Sequence, residues 1–371
     1  MFLTTVPRPT AVPERVGRPR PRPRDLLLRA AGALTTPLLP TDYLDLVDPL
    51  RSGAQLRGRI EQVRPETAES ATLVLRPGRG WRGHVPGQYV RIGVDVDGVR
   101  LWRAYSLTSG PRADGRVAIT VKVIPDGRVS THLVRRAKPG TVLQLDQATG
   151  DFHLPATPPA RALFVTAGSG ITPVMGMLRH HLPSLRDVVI VHSAPTAEAV
   201  IFGSELRDMA AVGRIRLLER HTDRDGLLAP EDLERLVPDW VDRQAWACGP
   251  PAMLDALEAH WAEADLPQQL HTERFRAQVV VTGDGGPVTF ARTGRTVEAD
   301  GATPLLDVGE AAGVLMPSGC RMGICMGCVR PLASGAVRDL RTGAITTAEP
   351  GDGVQVQTCV TAAAGPCTLD H

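Results

Sequence analysis

The chain has 371 residues, of which 43% are hydrophobic and 22% charged, with a formal net charge of +2. That length predicts two or three domains, and the balanced charge gives no reason to expect a nucleic-acid partner. No segment approaches the roughly 18 uninterrupted apolar residues of a membrane-spanning helix.

Residues 1–53 read as an Arg/Pro-rich tail with a short helical lead-in. Residues 1–24 hold six Arg, six Pro and one acid, Glu14. Proline removes backbone donors and breaks helices, so this tail is expected to lack regular structure. Only Lys122 and Lys138 among the 42 basic residues are lysine, so arginine enrichment partly reflects biased composition. Two readings stay open for the tail: a solvated segment without a partner, or a peripheral electrostatic tether to anionic lipid. Asp25–Leu34 has the pattern of a short amphipathic helix, packing either within the molecule or beside that lipid.

Residues 54–157 change to short alternating segments. Gln55–Val63, Ser70–Leu75, Pro86–Gly93 and Val117–Val123 read as strands, separated by turns at Pro77-Gly78, Asp97-Gly98 and Asp114-Gly115. Close spacing with glycine turns predicts an antiparallel β-barrel or sandwich. Within it stands Arg103-Ala-Tyr-Ser-Leu-Thr-Ser109. A guanidinium can pair with a phosphate, a tyrosine ring can stack on a planar heterocycle, and Ser106 can hydrogen-bond its edge. Gly127-Arg-Val-Ser-Thr-His-Leu133 reads as a glycine turn opening a helix, whose first amides can receive a pyrophosphate. By itself an Arg-x-Tyr-Ser string in a strand is usually structural.

Residues 158–276 follow a strand–turn–helix rhythm. Ala162–Thr166, Asp187–His192 and Ala245–Cys248 read as buried parallel strands, with a glycine turn over Ala167–Pro173 and a helix from Val174 to His181. This predicts an α/β parallel-sheet domain with ligands at the strand C-termini. Gly168-Ser-Gly-Ile-Thr-Pro173 departs from the G-x-G-x-x-G fingerprint and is weak evidence alone. Cys248 is either a buried strand-end thiol or part of a ligand site, and Phe275 either a core residue or a ring over a ligand.

Residues 277–371 begin with an expected hairpin around Asp284–Gly286 and a short helix over Leu305–Ala312. Then comes Ser318-Gly-Cys-Arg-Met-Gly-Ile-Cys-Met-Gly-Cys328, with Cys359 after thirty more residues. The spacing of Cys320, Cys325, Cys328 and Cys359 is that of plant-type [2Fe–2S] ligands. Neighbouring glycines let the backbone wrap a cluster closely. A zinc site usually pairs shorter knuckles, and disulfides need an oxidising compartment, for which no signal-peptide pattern speaks. Cys367 is not needed as a ligand and reads as a structural thiol.

On these motifs, residues 54–371 resemble the ferredoxin–NADP reductase superfamily, in its oxygenase- and desaturase-reductase branch. The resemblance implies a multidomain chain: an antiparallel FAD barrel, an α/β nucleotide domain and an α+β β-grasp ferredoxin domain. It implies FAD held by Arg103 at the phosphate, Tyr105 and Ser106 at the ring, and Gly127, Val129, Ser130 and Thr131 at the pyrophosphate, with Thr108 also among the cofactor-binding residues. It implies a pyridine nucleotide at Gly168, Ser169, Gly170, Ile171 and Thr172, facing Cys248, Gly249, Pro250 and Met253. Ser106, Cys248, Glu273 and Phe275 are then the residues nearest the chemistry, with Phe275 covering the flavin.

Electrons are expected to pass from NAD(P)H through FAD and the [2Fe–2S] cluster to a metal-dependent oxygenase. NADPH is favoured over NADH by the desaturase-type relatives, although Asp223 and Asp225 oppose Arg220 and Arg224. The expected acceptor is a membrane-bound di-iron fatty-acyl desaturase. A Rieske or di-iron ring-hydroxylating oxygenase is the alternative. A non-catalytic redox sensor or ferredoxin-like carrier is the competitor from another class. The expected location is cytoplasmic, peripheral at the inner face of the membrane.

Overall fold

A computed structural model describes residues 44–45, 47–51, 55–96, 98–125, 127–275, 283–319, 321, 323 and 326–371. The Arg/Pro tail, the Asp25–Leu34 helix, Asp97, Arg276, Cys320 and Cys325 lie outside the described residues. The chain divides at Leu50 into two units. In the described part of the first, one helical turn is closed by the Asp48 amide donating to the Leu44 carbonyl at 2.9 Å.

The second unit carries three sheets in succession. The first contains β1 (Arg57–Thr67), β2 (Ser70–Pro77), β3 (Tyr89–Val96), β4 (Val99–Ser106), β5 (Val117–Lys122) and β6 (Val142–Leu145). Their order is β4-β3-β6-β1-β2-β5, and every pairing is antiparallel. An antiparallel bridge between Leu107 and Ile119 joins the two outer strands and closes the barrel. Alternate residues such as Ile60, Leu73, Leu75, Ile92 and Ile119 fill its interior. Helix α1 (Arg128–Arg135) adds Val129 and Leu133 to that core.

The second sheet is wholly parallel: β7 (Arg161–Ala167), β8 (Asp187–Ala194), β9 (Arg216–His221), β10 (Gln244–Cys248) and β11 (Leu270–Glu273). The order β11-β10-β7-β8-β9 puts β7 at the centre. Helices α2 (Ile171–His181), α3 (Gly203–Ala211), α4 (Pro230–Leu236) and α5 (Pro251–Glu263) cover it. Phe164, Ile190 and Trp246 point into one apolar core, and Leu163, Val165, Val191 and Ala247 into another on the opposite face. Burial on both faces is why these strands read as unbroken apolar runs. The edge strand β9 carries Arg, Glu and His and gives no such run.

The third sheet is mixed, and helix α6 (Leu305–Ala311) packs Leu305, Leu306 and Val308 into its core. It contains β12 (Gly283–Phe290), β13 (Arg295–Gly301), β14 (Val329–Asp339), β15 (Ile345–Ala348), β16 (Gln355–Gln357) and β17 (Thr361–Leu369). The order is β13-β12-β17-β14-β15, with β16 also on β14 and β12 parallel to β17. This is the α+β architecture expected of a ferredoxin domain.

Two local expectations are corrected. Asp284–Gly286 is not a hairpin tip but an irregularity inside β12, and the connecting turn lies at residues 291–294. A Cβ on Gly285 would sit 2.4 Å from the Ala299 carbonyl oxygen, so close strand approach, not a turn, requires that glycine. The helix expected from Val174 begins earlier, at Ile171, after a tight 3₁₀ turn over Gly168–Gly170. Pro173 falls in the first helical turn, where its missing N–H costs nothing.

Candidate active site

A cavity of about 810 Å³ is lined by residues of all three sheet-bearing domains. That size suits a cofactor or drug-sized ligand. The barrel contributes Arg103, Tyr105, Ser106, Gly127, Val129 and Ser130, at the end of β4 and the start of α1. The parallel-sheet domain contributes Ser169, Thr172, Glu273 and Phe275. The third domain closes the far wall with Pro304, Asp307, Glu310, Leu315, Arg321 and Cys359.

The lining is prepared for a polar, planar guest. Ser106 is buried, and its Oγ has no hydrogen-bond partner. A buried hydroxyl left this way is costly unless a ligand completes it. Burial holds the Tyr105 phenol above its ordinary range, so the ring is neutral. Gly127 caps α1 without any side chain over the helix amides. A Cβ there would press on Ser130 Oγ at 2.4 Å and Ile124 at 2.5 Å and fill the cradle. Burial, then the nearby Arg321, lowers Arg103 below the usual guanidinium value. Arg103 stays charged, donating to the Trp102 carbonyl at 2.8 Å and to Ser318 Oγ at 3.4 Å. Arg321 is held by Asp307 at 2.5 Å and by Glu310. These groups fit a flavin with its phosphates.

Beside the cavity, Cys248 and Glu273 face each other in register on β10 and β11. Cys248 is fully buried, and burial followed by Glu273 raises its thiol well above the ordinary value. It is therefore neither a nucleophile nor a metal ligand as it stands. Burial raises Glu273 to about 8, and its Oε2 has no partner. Gly170 packs so tightly on β10 that a Cβ would lie 1.9 Å from the Cys248 carbonyl oxygen. Thr172 Oγ1 donates to the Ser169 carbonyl at 2.9 Å, tying the glycine turn to α2. Phe275 is 38% exposed and lines the cavity, which is not the setting of a core phenylalanine.

Of the four cluster cysteines, two are described. Cys328 and Cys359 are both buried, and Cys359 lines the cavity. The Cys328 carbonyl accepts from Thr358 N at 3.3 Å and Thr358 Oγ1 at 2.9 Å. Those bonds bring two ligands with thirty residues between them in sequence onto neighbouring backbone. Arg321, Gly323 and Met326 all have positive φ, the close-wrapping backbone expected around an inorganic core. The described thiols and loop thus fit an iron–sulfur cluster. Cys367 is buried in the third core, where burial raises it to about 11.

Other expected residues stand outside the cavity. Thr108 is buried with its hydroxyl toward Thr120. Thr131 is exposed on α1, while Gly168, Gly249, Pro250 and Met253 sit around the ends of β7 and β10. Ile171 is core. Sequence reasoning missed the acidic and basic wall of Asp307, Glu310 and Arg321. The signal was available: Asp307 and Glu310 are three apart on one helical face, and Arg321 directly follows Cys320.

A flavin cradle, a nucleotide-type parallel sheet and a cluster loop in one unit define a flavin-dependent iron–sulfur electron-transfer reductase. Family comparison agrees. Residues 71–154 match the oxidoreductase FAD-binding domain, 164–259 the oxidoreductase NAD-binding domain and 288–364 the 2Fe-2S iron-sulfur cluster binding domain. The chain is 50% identical over 352 residues to the NADPH oxidoreductase of Mycobacterium tuberculosis H37Rv, covering 93% of this chain and 92% of that protein. It is 33% identical to the ferredoxin reductase component of 3-ketosteroid-9-alpha-monooxygenase from the same organism, over 73% and 83% of the two chains. Phthalate dioxygenase reductase shares the fold, with a TM-score of 0.58 at 22% identity, covering 85% of this chain and 97% of that one. The chain belongs to the ferredoxin–NADP reductase family with FAD-binding, NAD-binding and C-terminal 2Fe-2S domains, and is an NAD(P)H oxidoreductase.

Proposed function

We propose that this chain takes electrons from NADPH and delivers them singly to a membrane-bound di-iron fatty-acyl desaturase. One observation carries the electron route: Cys359, an expected cluster ligand, shares a cavity with Arg103, Ser106, Glu273 and Phe275. A flavin in that cavity supplies the conversion of a two-electron donor into single electrons, chemistry the side chains lack. Arg103 then balances phosphate charge, and the open N-terminus of α1 offers amides to a pyrophosphate. Ser106 Oγ gains its missing partner at the ring edge. Tyr105 would supply a neutral aromatic face to the ring, and Phe275 would cover the ring and yield its place to a nicotinamide. Glu273, protonated at neutral pH, holds a proton beside that position. Cys320, Cys325, Cys328 and Cys359 hold the cluster.

NADPH is supported by the name of the 50% identical relative. Support for a desaturase comes from the Cys320-Arg-Met-Gly-Ile-Cys325 loop and the basic tail, which attracts the protein to anionic lipid beside a membrane-bound partner. A 93% match to that relative leaves too little outside it to exclude the whole 53-residue lead-in, so part of the lead-in is shared. Among the described residues no helix is long and apolar enough to cross a membrane. The second reading, a Rieske or di-iron ring-hydroxylating oxygenase as acceptor, is favoured by the name of the 33% identical monooxygenase reductase, an oxygenase system.

The deciding experiment loads the full chain with FAD and cluster and mixes it with a desaturase in anionic vesicles. NADPH-driven double-bond formation is expected, with deletion of residues 1–50 weakening vesicle association. Brisk cytochrome c reduction without any desaturation would overturn the acceptor assignment while leaving the reductase intact.

A further inference from the structure

A polar network outside the cavity grips the cluster loop from behind. Arg341 follows the end of β14, where the Leu340 amide donates to the Val360 carbonyl at 2.8 Å, next to Cys359. Its Nη1 donates to the Gly323 carbonyl at 3.1 Å, inside the Cys320–Cys325 loop. Its Nη2 donates to Gln357 Oε1 at 3.2 Å. Gln357 in turn donates to the same Gly323 carbonyl at 3.0 Å and to Met326 Sδ at 3.0 Å.

Asp339 fixes the guanidinium from the other side. Its carboxylate accepts from Arg341 N at 2.8 Å, Nε at 3.1 Å and Nη2 at 2.6 Å. The fit is close: a Cβ on Gly323, whose φ is +75°, would lie 2.4 Å from Arg341 Nη1. The cation also senses the ligands. Arg341 is raised above its ordinary value first by Asp339, against burial, and further by Cys359 and Cys328.

We propose that Arg341 is a positioning residue for the cluster, pinning the Gly323 turn and raising the cluster's midpoint potential through its charge, with Asp339 setting how much of that charge the cluster feels. The inference rests on the [2Fe–2S] assignment and is independent of the acceptor. Reduction adds one negative charge to a cluster already bearing four thiolates. A fixed cation hydrogen-bonded to the loop that carries them favours the reduced form, and local hydrogen bonding tunes the potential in the same sense. Removing the cation lowers the potential; removing the acid that offsets it raises the potential. A purely structural brace has no reason to give opposite signs.

The test is an EPR- and absorbance-monitored redox titration of the purified, cofactor-loaded full chain. Arg341→Met is expected to lower the reduced-to-oxidised ratio at a fixed poise about tenfold, equivalent to about 59 mV for a one-electron couple. Asp339→Asn is expected to shift the ratio upward. Arg341→Lys keeps the charge and is expected within about twofold of the parent, but loses iron faster to a chelator because the planar fork is gone. Shifts of the same sign in R341M and D339N, or none beyond twofold in either, overturn the proposal. So does a midpoint shift in R341K as large as that in R341M, which would make the lost fork and not the lost charge responsible. The EPR signal of the reduced parent separately establishes that the cluster is present.

Discussion

The nucleotide-binding sheet and the cluster loop are held rigid by different means. In the sheet, both faces are apolar: Trp246 and Phe164 pack at 5.8 Å on one side, and Leu163, Val165 and Leu257 fill the other. Loop residues such as Gly170 are located by contact with that packed scaffold. Around the cysteines, Arg321, Gly323 and Met326 occupy left-handed backbone, and side-chain donors such as Arg341 and Gln357 fasten the carbonyl groups. Packing gives the first region stiffness without directional bonds. The second region trades apolar area for polar fastenings, which can also carry charge to a redox centre.

Three substitutions test that contrast. The largest effect is expected from Trp246→Ala. Trp246 is fully buried and stacks on His271 at 4.9 Å, so its removal should cost about 3–5 kcal/mol. In urea, the fluorescence transition should come earlier while the visible cluster absorbance survives to its usual concentration. If both transitions move by the same amount, the two regions are not separately stabilised.

Glu273→Gln comes next, through pH. Burial lifts the carboxyl from 4.5 to about 8, so the folded protein holds a proton that the unfolded chain has released. The associated stability is full below about pH 4.5 and fades as pH rises through about 8. At about 1.4 kcal/mol per pKa unit, the rise from 4.5 to about 8 sets an upper bound of about 5 kcal/mol. Thermal melts of the FAD-loaded protein should fall more steeply between pH 5 and 9 for the parent than for the glutamine variant. Parallel curves would show that the cavity hydrates this carboxyl.

Gly170→Ala probes the sheet at its tightest contact. With the Cβ 1.9 Å from the Cys248 carbonyl oxygen, backbone must move, at about 1–3 kcal/mol for an overpacked site. NADPH-driven ferricyanide reduction should lose at least about tenfold in kcat/KM, because about 1 Å of misplacement is enough to disturb hydride geometry. The cluster potential should stay unchanged; a shift there would mean the two regions communicate.

Much of this architecture was legible in the chain. Parallel strands announced themselves as apolar runs because burial on two faces leaves no room for alternation. The cysteine spacing named one cofactor by itself, and the Arg103 string pointed to a second only through the family resemblance it shares with its neighbouring motifs. What stayed hidden depends on distant segments meeting. Asp307, Glu310 and Arg321 resemble ordinary surface charge until the third domain is laid against the barrel. Arg341 is likewise unremarkable until β14 brings it beside Gly323. The Asp284–Gly286 misreading has the same origin: a glycine pair serves equally as a turn or as room for a neighbouring strand, and only the pairing with β13 decides.

A cavity assembled from three domains also has a history in time. Barrel residues such as Ser130 leave the ribosome about 190 positions ahead of Arg321. At roughly 5–20 residues per second, that is an interval of about 10–40 s. During it the flavin cradle has its floor and one side but no outer wall. Enclosure therefore comes late in synthesis, and a flavin bound early is sealed in only when the cluster domain folds over it.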